Sequence, residues 1–365
     1  MDIIALLRTA AAKRASDLHL VVASPPLLRV NGALQPVDGT GALSANEINQ
    51  GFLQITTPEQ RESFHHHLEL DFNYSLSGVG HLRCNAALQR GAISLAVRLL
   101  PAQIPTIDEL ELPQIYKELA LNQRGLLVVT GPTGSGKSTS QAAMIRHLNE
   151  NESRHVVTIE DPIEYVHPSI KCAITQRQLG SDTLSFAEAL RRVLRQDPDV
   201  ILVGEMRDLD TAAAVLSIAE TGHLILTTGH APSASQAVER VIDLFPPHER
   251  SLAQTRLASL LIAVLFQTLV PRADGSGRIA AVEILLANPA ARNLIREGKI
   301  YQIPNVIRTH RSIGMLSLDE SLVDLYRQRI ITRDSLFTFC ADAKEVEKLV
   351  GGVGPKTHRS YVPTA

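Results

Sequence analysis

The chain has 365 residues, of which 44% are apolar and 20% are charged, and its formal net charge is only -2. This length favours two domains, the second larger than the first, and the composition is typical of a folded globular protein. The balanced charge, with no long block of one sign, argues against a dedicated nucleic-acid-binding protein, although a local basic groove stays open.

The cysteines and the longest apolar run set further limits. The three cysteines are far apart and lack C-x-x-C spacing, so they imply neither a zinc site nor a disulfide framework. The longest apolar run, residues 257–270, contains Ser259, Gln267 and Thr268 and is too short to span a bilayer. We therefore predict a cytoplasmic protein without transmembrane insertion.

The first hundred residues are typical of a small α+β domain. Apolar residues recur with helical spacing over 3–14, and Ser44 followed by Glu47 predicts a helix that begins with a capping box. Alternating segments predict strands at 18–22, 72–76, 82–88 and 93–99.

Residues 101–124 are predicted to connect two domains. Pro101 and Pro105 interrupt the strand pattern, and the remainder of the segment holds one short helix. The N-terminal domain is therefore predicted to cover residues 1–100.

From Gly125 onward, apolar runs alternate with helices, which is the pattern of a parallel sheet. The predicted strands are 126–130, 156–159, 200–203 and 224–227. The predicted helices are 137–149, 185–195, 208–220 and 248–268. We predict an α/β core of the nucleotide-binding kind over 125–287, a helical region over 288–350 and a disordered tail over 351–365.

A G-x-x-x-x-G-K-[ST] motif lies between the first of these strands and its helix, the context that the motif requires. Glycines let the backbone wrap a β-phosphate, and the helix N-terminus adds positive potential. We predict binding of ATP with Mg²⁺, with Lys137 on the β- and γ-phosphates, Ser138 on the metal and Thr139 near the α-phosphate. The alternative is a glycine-rich turn without a ligand. The predicted phosphate-binding residues are Gly131, Pro132, Thr133, Gly134, Ser135, Gly136, Lys137, Ser138 and Thr139.

Carboxylates follow the second predicted strand, at the edge of a parallel sheet where ligands bind. Glu160, Asp161 and Glu164 stand there, and a carboxylate at this place can orient and deprotonate an attacking water. For Asp161, which precedes Pro162, helix capping is an equally good interpretation.

The next two strands are also flanked by residues suited to phosphate chemistry. Glu205 occupies the place of a magnesium-associated carboxylate, and its alternative is a solvated or capping role. His223 and His230 flank the strand at 224–227, and about 23 Å of extended chain prevents both from touching one γ-phosphate. His230 is predicted to be nearer the nucleotide. His223 is predicted to have a structural or coupling role, and a histidine without any special role is an equally good interpretation.

Together these motifs resemble the secretion-ATPase superfamily, and within it the retraction motors of type IV pili. The match extends over nearly the whole chain. Its parts are the A-S-D-L-H-L signature at 15–20, the Walker A loop at 131–139, the aspartate box at 158–164, the Walker B region at 197–208 and the histidine box at 220–223 with His230. Residues 290–297 are similar to the A-I-R-N-L-I-R-E motif of retraction motors, which favours retraction over extension.

The resemblance implies a RecA-like P-loop core, a smaller N-terminal α+β (PAS-like) domain and a helical C-terminal region. It implies that Glu164 is the catalytic base, that Glu205 is a magnesium-associated carboxylate and that His230 contacts the γ-phosphate. It also implies that Arg83 and Arg98 reach the nucleotide of a neighbouring subunit in a homohexamer. From the sequence alone, both arginines would be ordinary charges on a strand surface.

We therefore expect a homohexameric motor ATPase at the cytoplasmic, inner-membrane base of a type IV pilus, working with a platform protein and the pilus machinery and binding no nucleic acid. One alternative is a pilus-extension or type II secretion ATPase. Another is a nucleotide-sensing scaffold with little turnover. The scaffold is suggested by residues 228–231, which read T-G-H-A where the family has T-L-H-T. A second departure from the family is Ala291, which replaces an isoleucine.

Overall fold

The computed structural model describes residues 1–30, 32–100 and 103–351. The chain divides into two compact units. The first consists of Met1–Ile104 and Glu164–Val166, and the second of Pro105–Ile163 and the chain from His167 onward. Pro101, at the predicted break, and residues 352–365 of the predicted tail lie outside the described residues.

Within residues 1–30 and 32–100, the first unit is an antiparallel sheet with three helices. The helices are α1 (Ile3–Ala12), α2 (Ala45–Ile55) and α3 (Pro58–His67). The strands are β1 (Asp17–Leu20), β2 (Leu27–Val30), β3 (Ala33–Pro36), β4 (Glu69–Leu76), β5 (Gly80–Gln89) and β6 (Ala92–Leu99), in the order β3-β2-β1-β6-β5-β4.

Alternation along the strands separates the two faces of this sheet. Leu18, Val97 and Cys84 are fully buried and pair across neighbouring strands, whereas Arg98 and Arg83 on the alternate face are exposed. The predicted capping box is present at the start of α2, because Ser44 and Glu47 exchange hydrogen bonds.

The second unit is built on a mixed sheet within residues 103–351. Its strands are β7 (Gly125–Thr130), β8 (His155–Glu160), β9 (Ala173–Gln178), β10 (Val200–Val203), β11 (Leu224–Gly229), β12 (Leu261–Pro271) and β13 (Arg278–Leu286). The order is β13-β12-β7-β11-β10-β8-β9. All neighbouring pairs are parallel except β12 and β13, so the carboxyl ends of β7, β8, β10 and β11 lie at one edge.

Helices connect and cover these strands. They are α4 (Ile115–Ala120), α5 (Lys137–Asn151), α6 (Phe186–Val193), α7 (Leu209–Glu220), α8 (Ala234–Asp243) and α9 (Arg250–Leu260). The segment predicted as an interdomain connection supplies Ile107, Leu112 and Tyr116 to the core of this unit, in which all three are buried.

One predicted element is wrong. The helix expected over 248–268 ends at Leu260, and the chain continues as β12 beside β7. The apolar run suits both structures locally, but pairing with β7 and β13 satisfies its backbone groups on both sides and buries Val264 and Leu265. No described helix is long and apolar enough to cross a membrane.

Short helices follow β13 as predicted. They are α10 (Pro289–Arg296), α11 (Ile303–Thr309), α12 (Leu318–Arg327), α13 (Arg333–Phe339) and α14 (Ala343–Val350). The A-I-R-N-L-I-R-E-like segment forms α10, which begins after Asn288, whose side chain accepts a hydrogen bond from the N–H of Ala291.

Arg292 joins α10 to the end of α9. Its guanidinium donates to the carbonyl oxygens of Ala258 at 2.7 Å, Ser259 at 2.6 Å, Leu261 at 2.9 Å and Ala287 at 2.7 Å. Because the last carbonyls of a helix lack partners within the helix, Arg292 here satisfies carbonyl groups in the last turn of α9.

We expect Arg292→Ala to lower the free energy of unfolding by about 2–3 kcal/mol, because several carbonyl groups lose a charged donor at once. Denaturant unfolding measures this loss. Arg296→Ala, an exposed change on the same helix, is the control and should stay within about 0.5 kcal/mol of the parent chain. Equal stability of the two variants would show that the Arg292 contacts contribute nothing.

Candidate functional site

The loop between β7 and α5 has the backbone of a phosphate cradle. Gly131, Gly134 and Gly136 all have positive φ, at 148°, 76° and 86°. Gly136 is the N-cap of α5, so the loop opens directly onto the unpaired N–H groups of a fifteen-residue helix. Pro132, Thr133 and Gly134 are exposed, which leaves the mouth of the cradle accessible.

Lys137 lies inside this loop rather than in solvent. It is 8% exposed, and its Nζ donates to the carbonyl oxygens of Gly131 at 2.9 Å and Pro132 at 3.1 Å. The buried ammonium therefore already sits at the mouth of the loop, where phosphate oxygens can replace carbonyl oxygens as its partners.

Glu205 and His230 meet at the carboxyl ends of the adjacent strands β10 and β11. His230 Nε2 lies 3.3 Å from Glu205 Oε1, and Arg207 Nε donates to Glu205 Oε2 at 2.7 Å. A cavity of about 150 Å³ borders these three side chains and Arg240. The Glu205 carboxylate is therefore fixed by contacts with Arg207 and His230, unlike the freely solvated carboxylate of the alternative interpretation.

The loop that carries His230 is anchored at several points despite its departure from the family sequence. Thr130, the last residue of β7, accepts from the N–H of Ala231 at 2.9 Å and donates to its carbonyl at 3.3 Å. Arg240 donates to the His230 carbonyl, and Thr228 donates to the carbonyl of Gly204. The backbone of the altered residues is thus fixed by hydrogen bonds, one pair of which comes from β7, the strand that precedes the phosphate loop.

Glu283 on β13 fixes the helix that follows this loop. It accepts from the N–H of Ala234 at 2.6 Å, at the start of α8. Burial raises the pKa of Glu283, and Asp319 on α12 adds repulsion in the same direction. The start of α8 is therefore bound to the strand against which the C-terminal α12 packs.

His223 lies far from His230 along the same strand. It precedes β11, and its Nδ1 is 2.9 Å from Thr221 Oγ1 and 3.3 Å from the Ile218 carbonyl oxygen. The structure therefore brings Glu205 and His230 together and places His223 at the opposite end of β11.

Glu160, Asp161 and Glu164 take different positions after β8. Glu160, the last residue of β8, accepts from Thr158 at 2.6 Å and from Gln176 at 3.2 Å. Asp161 and Glu164 are exposed in a segment without helix. The helix-capping interpretation of Asp161 is therefore wrong, since no helix begins after it in this described segment.

The first unit holds Arg83 and Arg98 directly opposite each other on β5 and β6. Arg98 Nε donates to Asp17 Oδ1 at 2.9 Å, and Arg29 lies 3.6 Å from Asp17 Oδ2. Burial alone would raise the pKa of Asp17, but hydrogen bonds from Arg98 and Ser16 and the charge of Arg98 outweigh it and lower the pKa. Asp17 is thus an ionised anchor within a row of arginines.

Sequence reasoning missed several residues that shape the phosphate loop and the strand ends. Arg207 and Arg240 contact the candidate residues Glu205 and His230, and Thr130 bonds to the backbone of Ala231. Gln267 on β12 donates to the carbonyl of Ser135 in the phosphate loop at 2.6 Å. The sequence feature that could have indicated Gln267 is its polar side chain within a mostly apolar run.

Comparison with known proteins identifies the family of this chain. Residues 94–324 match the family described as Type II/IV secretion system protein. The type IV pilus retraction ATPase PilT of Pseudomonas aeruginosa is 44% identical over 335 residues, covering 92% of this chain and 97% of the relative. A twitching motility protein of Neisseria gonorrhoeae is 43% identical, covering 92% of this chain and 89% of the relative.

A crystal structure of the pilus retraction motor PilT with bound ADP matches with a TM-score of 0.90 and 39% identity, covering 95% of this chain and 99% of that one. The predicted family resemblance and fold class are confirmed by these matches, including the helical region after β13. The chain belongs to the Type II/IV secretion system protein family, and within it the chain is a PilT-like ATPase.

Proposed function

We propose that this chain is a homohexameric motor that hydrolyses ATP with Mg²⁺ and thereby drives retraction of a type IV pilus. The observation that carries the proposal is the phosphate cradle with its buried Lys137, beside the Glu205 and His230 pair at the same sheet edge. The similarity to pilus retraction ATPases over nearly the whole chain supports the choice of motor.

The residues at this edge fit a magnesium nucleotide. Ser138, in the first turn of α5, offers a hydroxyl oxygen, and the Glu205 carboxylate adds negative charge just after β10, at the same edge of the sheet. Magnesium prefers such oxygen groups together with water and phosphate oxygens. When bound, the ion would neutralise charge on the β- and γ-phosphates. Ser135 Oγ, buried and without a hydrogen-bond partner among the described residues, further supports a cradle built for a polar ligand.

In this proposal, each candidate residue has a defined task. Lys137 stabilises charge on the transferred phosphoryl group, His230 contacts the γ-phosphate, and Glu164 orients and deprotonates the attacking water. Glu160 and Asp161 belong to the aspartate box at this sheet edge. His223 belongs to the histidine box but lies at the opposite end of β11, where its proposed role is structural or coupling.

Arg83 and Arg98 supply positive charge from the sheet of the first unit. We infer that they act on the nucleotide of the next subunit, so that hydrolysis requires a ring. Their exposed, cross-strand arrangement supports this role because guanidinium groups pair well with phosphate oxygens. Changes in the shape of the ring during hydrolysis then drive disassembly of the pilus.

The proposed place of the motor is the cytoplasmic, inner-membrane base of the pilus, in contact with a platform protein. Deleting the gene and counting surface pili tests the direction of the motor. Accumulation of pili with loss of twitching is the expected result. Loss of pili would instead identify an extension motor, and an unchanged count would reject a role in pilus dynamics.

Glu164→Gln should lower steady-state phosphate release by at least about a hundredfold, because general-base catalysis contributes roughly that much. ATP affinity, measured by calorimetry, should change less than about threefold, since Glu164 lies outside the phosphate loop. The control is Glu239→Gln, another exposed carboxylate in the chain. Turnover near the parental rate in Glu164→Gln would remove the base assignment, and negligible turnover of the parent chain would favour the scaffold.

Arg98→Ala should abolish turnover, spare ATP binding and raise the pKa of Asp17, because the carboxylate loses its strongest charged partner. Carboxyl titration by NMR measures the pKa. With Arg98 present, the ion pair stabilises the first unit above the unfolded pKa of about 3.9, and this stability is lost as pH falls through the lowered folded pKa.

Arg83→Ala is the matched control for this titration. It should also abolish turnover, yet leave the pKa of Asp17 unchanged because the Asp17 contacts come from Arg98 and Arg29. Parental turnover in either variant would contradict the proposed action on a neighbouring nucleotide.

A further inference from the structure

Gln267 is a polar side chain in the centre of an apolar strand. It lies on β12 between Phe266 and Thr268 and is only 1% exposed. Its Nε2 donates to the carbonyl oxygen of Ser135 at 2.6 Å, while its Oε1 is buried with no hydrogen-bond partner among the described residues. Because Ser135 offers a carbonyl acceptor, the amide must present its NH₂ group to it.

Burial of an amide whose oxygen has no hydrogen-bond partner lowers the stability of the fold, so an apolar side chain here would stabilise the fold more. The apolar residues Leu265 and Val270 on the same strand are fully buried, and Val282, directly opposite Gln267 on β13, is 2% exposed. Packing alone therefore does not account for a glutamine at this position.

The phosphate loop lies directly on Gln267. A Cβ added to Gly131 would stand 2.2 Å from the backbone oxygen of Gln267, and one added to Gly136 would stand 3.1 Å from its Nε2. Both glycines have positive φ. The two glycines at the ends of the loop thus allow the loop backbone to contact Gln267. Between these glycines, the hydrogen bond from the Gln267 side chain to Ser135 joins the loop to the same residue.

This hydrogen bond also orients a donor. The carbonyl of Ser135 and the N–H of Gly136 belong to one planar trans peptide, so they point in opposite directions. A carbonyl held against the Gln267 side chain turns the Gly136 N–H away from that side chain. An N–H in this orientation is available to act with the unpaired N–H groups at the start of α5, which suit a phosphate.

We propose that Gln267 is a positioning residue for nucleotide binding: its amide holds the Ser135–Gly136 peptide in the orientation that presents the Gly136 N–H to the β-phosphate. It acts through the loop and does not touch the nucleotide. ATP and ADP both carry a β-phosphate, so both should depend on it. The inference rests on nucleotide binding at this loop, which the experiment measures separately in the parent chain.

The first test compares Gln267→Met with the parent chain by calorimetry of Mg-ATP and Mg-ADP. Met retains the volume but cannot donate, so we expect both affinities to fall about tenfold, as for a lost buried hydrogen bond with an unsatisfied carbonyl. The KM for ATP should rise by a similar factor, while turnover at saturating ATP stays within about threefold. Affinities within about twofold of the parent values would overturn the proposal.

Val282→Ala is the matched control, since it opens a cavity beside Gln267 without touching the loop. Its melting temperature should fall at least as much as that of Gln267→Met, with nucleotide affinity unchanged. An equal loss of affinity in Val282→Ala would show that the effect of Gln267 is general core packing, which also overturns the proposal.

Gln267→Glu gives a readout that packing cannot imitate. A buried carboxyl has a raised pKa, and only its protonated form can donate to Ser135. Relative to the parent chain, the loss of affinity should therefore be larger at about pH 8 than at about pH 6. A loss that is the same at both pH values would contradict the donor role. Failure of the parent chain to bind nucleotide would instead reject the ATPase function itself.

Discussion

The close approach of the phosphate loop to strand β12 is the constraint on which the nucleotide site depends. Parallel pairing places Phe266 of β12 opposite Thr130, the last residue of β7. Because β12 continues beyond this pair, the phosphate loop begins next to the backbone of β12. Only a glycine at position 131 allows the loop to turn at that point, since a Cβ would collide with the backbone of Gln267. The loop, the buried Lys137 and the start of α5 all follow from that turn.

The same sheet edge gathers the other polar groups and links them to the C-terminal helices. Thr130 connects the phosphate loop to the backbone that carries His230, and Glu283 connects the start of α8 to β13. These contacts are formed by hydrogen bonds to backbone groups, so they do not depend on the identity of the residue at 231. This explains how the T-G-H-A sequence can keep a defined geometry where the family has T-L-H-T.

The sheet of the first unit carries charge in a different way. Asp17, within the A-S-D-L-H-L signature, is held between Arg98 and Arg29, and Arg83 faces Arg98 across the neighbouring pair of strands. One carboxylate among three guanidinium groups leaves the row positive while ordering the arginine nearest to it. A row of this charge suits phosphate oxygens, which is the basis for the proposed action across subunits.

Local sequence was sufficient for the phosphate loop, most core strands and the capped helix α2, because motif spacing, apolar alternation and capping patterns are short-range signals. It also placed His223 and His230 at opposite ends of one strand, since strand direction follows from chain order. It could not distinguish a helix from a strand over 261–270, because the extended form is more stable only through its pairing with β7 and β13. The roles of Gln267, Thr130 and Asp17 were likewise decided by tertiary structure, since each bonds to a residue distant in the chain.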